Sequence, residues 1–165
     1  MQCKLTSCIE SLLTTSGTTQ ISDLIISNAN LINTQLRIEH DTNEIDVSDL
    51  ICGNNNLRCA SVTINSPKLK TMNRPLAYDS KLQNAAIDLK HQTKNLQDVA
   101  DLFDICEELK TVTYYNTTLN GNNIIKDEHG EKQSLHSTKH TGKTSEYIYG
   151  KGVNLKELEV EFIDN

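Results

Sequence analysis

Tryptophan is absent, proline occurs twice, and aromatic residues make up only 4% of the 165 positions. A core built from this chain must therefore rest on aliphatic side chains, and few positions carry the rigid φ that proline imposes. No apolar run approaches the length needed to cross a bilayer as a helix. The N-terminus has Lys4 but no continuous apolar stretch after it, so the expected setting is a reducing cytoplasm. There is no basic run interleaved with aromatics, and the net charge is -6. That balance argues against a nucleic-acid partner and against an anionic membrane surface. What the chain has in excess is Asn and Thr, each about a tenth of the residues. Such a composition suits exposed turns and polar strands better than a large enzyme core.

The longest stretch without Gly or Pro and with a sustained periodicity runs from Ser80 to Val112. Ser80 and Gln83 have the spacing of a capping box. Leu82, Leu89, Leu96 and Phe103 recur every seven residues, with Ala85, Val99 and Cys106 three positions behind their partners. This predicts a long central helix, about 45 Å at 1.5 Å per residue. The alternative is an αα-hairpin of residues 80–92 and 96–110, with Asn95 and Asp98 capping the second arm. Lys81, Lys90 and Lys94 lie in the first half, and Asp98, Asp101, Asp104, Glu107 and Glu108 in the second. That polarity opposes a lone helix dipole and favours antiparallel pairing, within the chain or between copies.

Before this stretch, Leu5, Cys8, Ile9, Leu12 and Leu13 have the spacing of a short amphipathic helix ending at Gly17. Residues 1–18 thus read as a docking arm, and 19–165 as a single domain. Ile21–Leu31 and Val47–Leu57 align as a duplication at an offset of 26, sharing Ser, Asp, Leu, Ile and two Asn. The offset lies within the range of solenoid repeats, but two copies are too few to stack and no third is recognisable near residue 73. The preferred reading is a duplicated hairpin, an antiparallel β-meander over residues 20–66. Its strands are Asp23–Ile26, Leu31–Glu39, Glu44–Cys52 and Leu57–Ile64, with Asn-, Asp- and Gly-rich separators between them. Downstream, Thr111–Asn116 reads as a strand, Asn120-Gly121 as a tight turn and Asn122–Lys126 as the returning strand. Tyr147–Tyr149 and Leu155–Ile163, joined through Gly150 and Gly152, make a last hairpin, with Leu158, Val160 and Phe162 alternating against Glu157, Glu159 and Glu161.

The candidate chemistry is thin. Gly142-Lys143-Thr144 lacks the upstream Gly of a phosphate loop, because Ser137 stands there. His129, His136 and His140 could ligate a metal only if the segment were helical, and Ser137, Thr138 and Gly142 are poor helix formers. The five cysteines miss zinc-knuckle spacing. Cys52 and Cys59 could face each other across a Gly53–Arg58 turn, but a cytoplasmic setting favours free thiols. Asp98, Asp101, Asp104 and Glu108 would line one helix side as a solvated or docking face. Asn116-Thr117-Thr118 is a glycosylation sequon with no meaning without secretion.

The expected fold class is therefore α+β: a β-meander, a central helix or αα-hairpin, and C-terminal β-hairpins. No enzymatic activity, cofactor or metal is expected. Composition and layout are similar to those of accessory virion components of bacteriophages, assembled in the host cytoplasm through protein–protein contacts. The expected contact surface is Leu5, Ile9 and Leu12 of the arm with Leu82, Leu89, Leu96 and Phe103 of the helix, facing subunits of a larger assembly, further copies of the chain among the candidates. A second expectation is a small acidic cytoplasmic module, of the immunity or inhibitor kind, that caps a basic protein partner.

Overall fold

The structure is a computed structural model that describes residues 6–10, 19–40, 44–90, 98–115, 124–126, 132–134 and 148–163. The chain winds as a β-solenoid whose successive coils stack through parallel strands. The first strand, β1 (Thr6–Glu10), leads in. One coil holds β2 (Thr19–Ile21), β3 (Ile25–Ile26) and β4 (Asn33–Glu39). The next holds β5 (Ile45–Ser48), β6 (Ile51–Cys52) and β7 (Cys59–Asn65). The third holds β8 (Leu69–Asn73), β9 (Leu76–Ala77) and β10 (Asn84–Leu89). The fourth has β11 (Asp98–Ala100) and β12 (Thr111–Tyr115), joined by a turn-rich corner. After β12 come β13 (Ile124–Lys126) and β14 (Lys132–Ser134), and residues 148–163 end in β15 (Glu159–Ile163).

Three faces result. The broad sheet has six strands in the order β1-β4-β7-β10-β12-β15. The second sheet is β11-β8-β5-β2, and the short third sheet is β3-β6-β9. Every pairing in these sheets is parallel. Asn33 pairs with Cys59, Cys59 with Asn84, and Asn84 with Thr111, so each coil returns to the same point after one repeat. Alternation then decides what enters the core. Leu36, Val62, Ile87 and Tyr114 form one inward row, which Phe162 continues by stacking on Tyr114 with ring centroids 5.1 Å apart. Ile38, Ile64 and Leu89 form a second inward row.

The corners carry unusual backbone. Asp23, Asp49, Arg74 and Asp101 have φ of 55, 43, 45 and 48°. A second corner has Ser27, Gly53, Tyr78 and Ile105 at 50, 71, 57 and 59°. Asp tolerates the left-handed region through its short polar side chain, whereas a β-branched residue there is strained. Each coil then turns again, with the amides of Leu31, Leu57, Leu82 and Leu109 donating to the carbonyls of Asn28, Asn54, Asp79 and Cys106. Those four leucines are all buried. Gly150 is required for a different reason: a Cβ there would meet the backbone of Asp104 at 2.7 Å.

The expected α+β class is overturned. In the interval 80–112 the described residues hold β10, β11, β12 and the corner between β11 and β12, not a helix or an αα-hairpin. The apparent heptad arises because apolar residues of unlike origin fall seven apart. Leu82 closes a turn, Leu89 ends a strand, and Phe103 lies in the corner of the next coil. Ser80 and Gln83 do not cap a helix: the Gln83 amide donates to the Arg58 carbonyl one coil back. The antiparallel meander is also overturned. Its strand positions are nearly right, but each strand pairs in parallel with its repeat and not with its neighbour. The N-terminal helix is replaced at Thr6–Glu10 by β1, which is parallel to β4. Of the C-terminal hairpins, β12 pairs with β10 and β15, and β13 turns back on β14, the antiparallel pair. Residues 150–152 join no hairpin; they stack on the Asp104–Ile105 corner.

Candidate functional site

The turn before each broad-sheet strand sets a polar ladder into the solenoid. Its members are Asn28, Asn54, Asp79 and Cys106, one per coil, held in line by the coil register. The Asn28 amide donates to Asn54 Oδ1 at 2.8 Å. The Asn54 amide donates to Asp79 Oδ1 at 2.7 Å. Asn54 Nδ2 reaches both Asp79 Oδ1 and the Ile25 carbonyl, each at 3.2 Å. Asn54 and Asp79 are fully buried. Buried polar groups persist where they are paired, and Asn54 satisfies both ends of its carboxamide in this way. Asp79 does not: its Oδ2 is buried with no hydrogen-bond partner.

That environment reshapes the titrations. Burial pushes the Asp79 carboxyl up from 3.8 to about 7, against the lowering effect of the two Asn54 hydrogen bonds. Burial, with Asp79 nearby, pushes the Cys106 thiol well above its ordinary range. Burial also raises the Cys52 thiol, with Asp79 and Asp49 adding to the effect and Arg74 opposing it. These thiols are held as neutral groups, the opposite of what a nucleophile or metal ligand needs. Cys52, Cys59 and Cys106 are free. Cys52 lies in β6 on the short sheet and Cys59 in β7 on the broad one, so they do not face each other across a hairpin.

The residues expected to form a contact surface are dispersed. Leu82, Leu89 and Phe103 fill the coil interior, and the helix face that would have displayed them is not there. Ile9 lies in β1. Leu5, Leu12 and Leu96 fall outside the described residues, as do His129, His136, His140, the Gly142–Thr144 segment and the sequon. The acidic row is split as well. Asp101 sits in a left-handed corner, Asp104 accepts from the Lys151 amide at 2.9 Å, and Glu108 faces Arg58 and Gln83. The surface that does exist is the outward face of the broad sheet. It carries Asn33 and Gln35, Cys59 and Ser61, Asn84 and Ala86, Thr111 and Thr113, then Glu159 and Glu161, in matching rows. The ladder had one legible sign in the sequence, the recurring Asn of the duplication, which stands at 28 and 54 and passes to Asp79 in the next coil.

No family profile, curated protein or solved structure matches this chain. Among the described residues, no helix is long and apolar enough to cross a membrane.

Proposed function

We propose that the chain is a non-enzymatic structural component that works through protein–protein contacts, of the kind found among accessory parts of a bacteriophage virion and assembled in the host cytoplasm. The observation that carries this reading is the outward face of the broad sheet. Across β4, β7, β10 and β12 its two leading rows are uncharged and, Gln35 apart, short: Asn33, Cys59, Asn84 and Thr111, then Gln35, Ser61, Ala86 and Thr113. A face made mostly of short side chains loses little rotamer entropy on docking. Cross-strand bonds already fix part of it, since Thr111 Oγ1 donates to Asn84 Oδ1 and Asn84 Nδ2 approaches Cys59 Sγ at 3.7 Å. The first partner on this reading is a second copy. Light scattering across a concentration series should then show an oligomer, and Ala86→Arg with Thr113→Arg should return it to monomer. A wild-type chain that stays monomeric at every concentration would count against self-assembly through this face.

A second reading, an acidic module that caps a basic protein, draws on the last two coils. Glu107, Glu108, Glu157, Glu159 and Glu161 are all exposed there. It calls for a monomer whose binding to a basic protein weakens steeply with salt.

A further inference from the structure

We propose that Asp79 is a proton-operated switch in the polar ladder, stabilising the stacked coils when neutral and destabilising them when its buried carboxyl is ionised. The argument starts from what the ladder position demands. In Asn54 one terminal atom accepts the amide of the preceding coil, and the other, Nδ2, donates. Asp79 meets the first demand through Oδ1. Its other terminal atom, Oδ2, is buried without a partner, and a carboxylate cannot donate. A charge on the carboxyl would therefore lie buried with nothing donating to Oδ2, so the position favours the neutral acid. Among the described residues, no cation compensates it. The coil before contributes Asn54 and the Cys52 thiol, and the coil after contributes the Cys106 thiol. Asp49, Arg74 and Asp23 act on Cys52, and Asp104 acts on Cys106, rather than on Asp79 itself. Arg74 is paired with Asp49 at 3.2 Å.

The direction follows from linkage. An acid whose proton is held more tightly in the folded chain contributes stability that is complete below its unfolded value near 3.8. That contribution declines as pH rises and is gone above about 7. The test is urea unfolding of the full chain and of Asp79→Asn, from pH 4.5 to 8.5. The ratio of their unfolding constants should change by up to about tenfold per pH unit below neutrality and level off above it. Taking the ratio removes the contribution of the five histidines common to both chains. A ratio constant with pH would overturn the proposal. So would an Asp79→Asn chain that fails to fold, because a neutral side chain of this shape is what the position is argued to require. Carboxyl carbon NMR of the wild-type chain gives an independent reading. An Asp79 signal that titrates near neutrality supports the switch, and one that stays ionised down to pH 5 refutes it.

Discussion

The first two complete coils and the two that follow share a backbone but few residues. Coils one and two both read Ser-Asp-Leu-Ile, with Asn at 28 and 54 in the ladder and Ser27 or Gly53 at the second corner. Coil three places Arg74-Pro75 at the Asp-Leu points, which coil four keeps as Asp101-Leu102; the two have Asp79 and Cys106 in the ladder, and Tyr78 and Ile105 at the corner. The backbone hydrogen bonds between coils run on without interruption. What repeats is therefore a set of requirements: an inward aliphatic row, two left-handed residues and one turn. The leucine that closes each turn, at 31, 57, 82 and 109, is the feature all four coils keep.

If the requirements are shared, truncating that leucine should cost the same in both halves. Leu57→Ala and Leu82→Ala remove fully buried side chains, and each should lose about 3 kcal/mol in urea unfolding. A difference above about 1.5 kcal/mol would mean that the later coils are packed by another rule. The ladder should separate the halves instead. Asn54→Ala leaves the Asn28 amide and Asp79 Oδ1 short of partners, at a cost of about 2 kcal/mol. Cys106→Ala removes only weak sulfur hydrogen bonds, to the Asp79 backbone and the Asp104 carbonyl, and should cost about 1 kcal/mol, chiefly that of a small cavity. Asp79 itself adds pH dependence to the later half. Moving its carboxyl from 3.8 to about 7 corresponds to about 4 kcal/mol, lost as pH rises from about 4 to above 7. Asp79→Asn should keep the Asn54 contacts and remove that slope.

Much of this was half-visible in the chain. The duplication of Ile21–Leu31 in Val47–Leu57 is the coil repeat, and the strand positions drawn from it fall within a few residues of β3 to β7. Pairing was the part left illegible. Alternation at period two and Asn- or Gly-rich turns look alike for a hairpin and for a solenoid corner, because both need a half-buried strand and a left-handed residue. The third copy, Met72–Leu82, keeps apolar residues at the inward points but exchanges the identities. Corner positions filled by Arg74 and Tyr78 carry no turn signal at all. The helical spacing has a related cause. Leu102, Cys106 and Leu109 are spaced as on a helix because a tight corner also brings every third or fourth side chain inward. Asp79 stands just before the Ser80 capping spacing and carries no motif of its own, and only the stacking of coils sets it beneath Asn54.

The second corner allows the finest test of the comparison. All four residues there have positive φ, but only Gly53 adopts it without strain. Tyr78 is 47% exposed, so its side chain adds little packing that a smaller residue would forfeit. Tyr78→Gly should therefore stabilise the chain by up to about 1 kcal/mol, since relief of the left-handed strain outweighs the added freedom of the unfolded chain. Gly53→Ala should move the other way by a similar amount. Its new Cβ would meet only Ser27 Oγ, at 3.4 Å, so the loss would be conformational and not steric. Ile105→Gly should gain less than Tyr78→Gly, because Ile105 also shields Gly152, which a Cβ would bring into contact with it. Urea midpoints for the three variants give the order directly. Should Tyr78→Gly destabilise the chain, the corner in the third coil would depend on its side chain after all, and the two halves would differ in more than sequence.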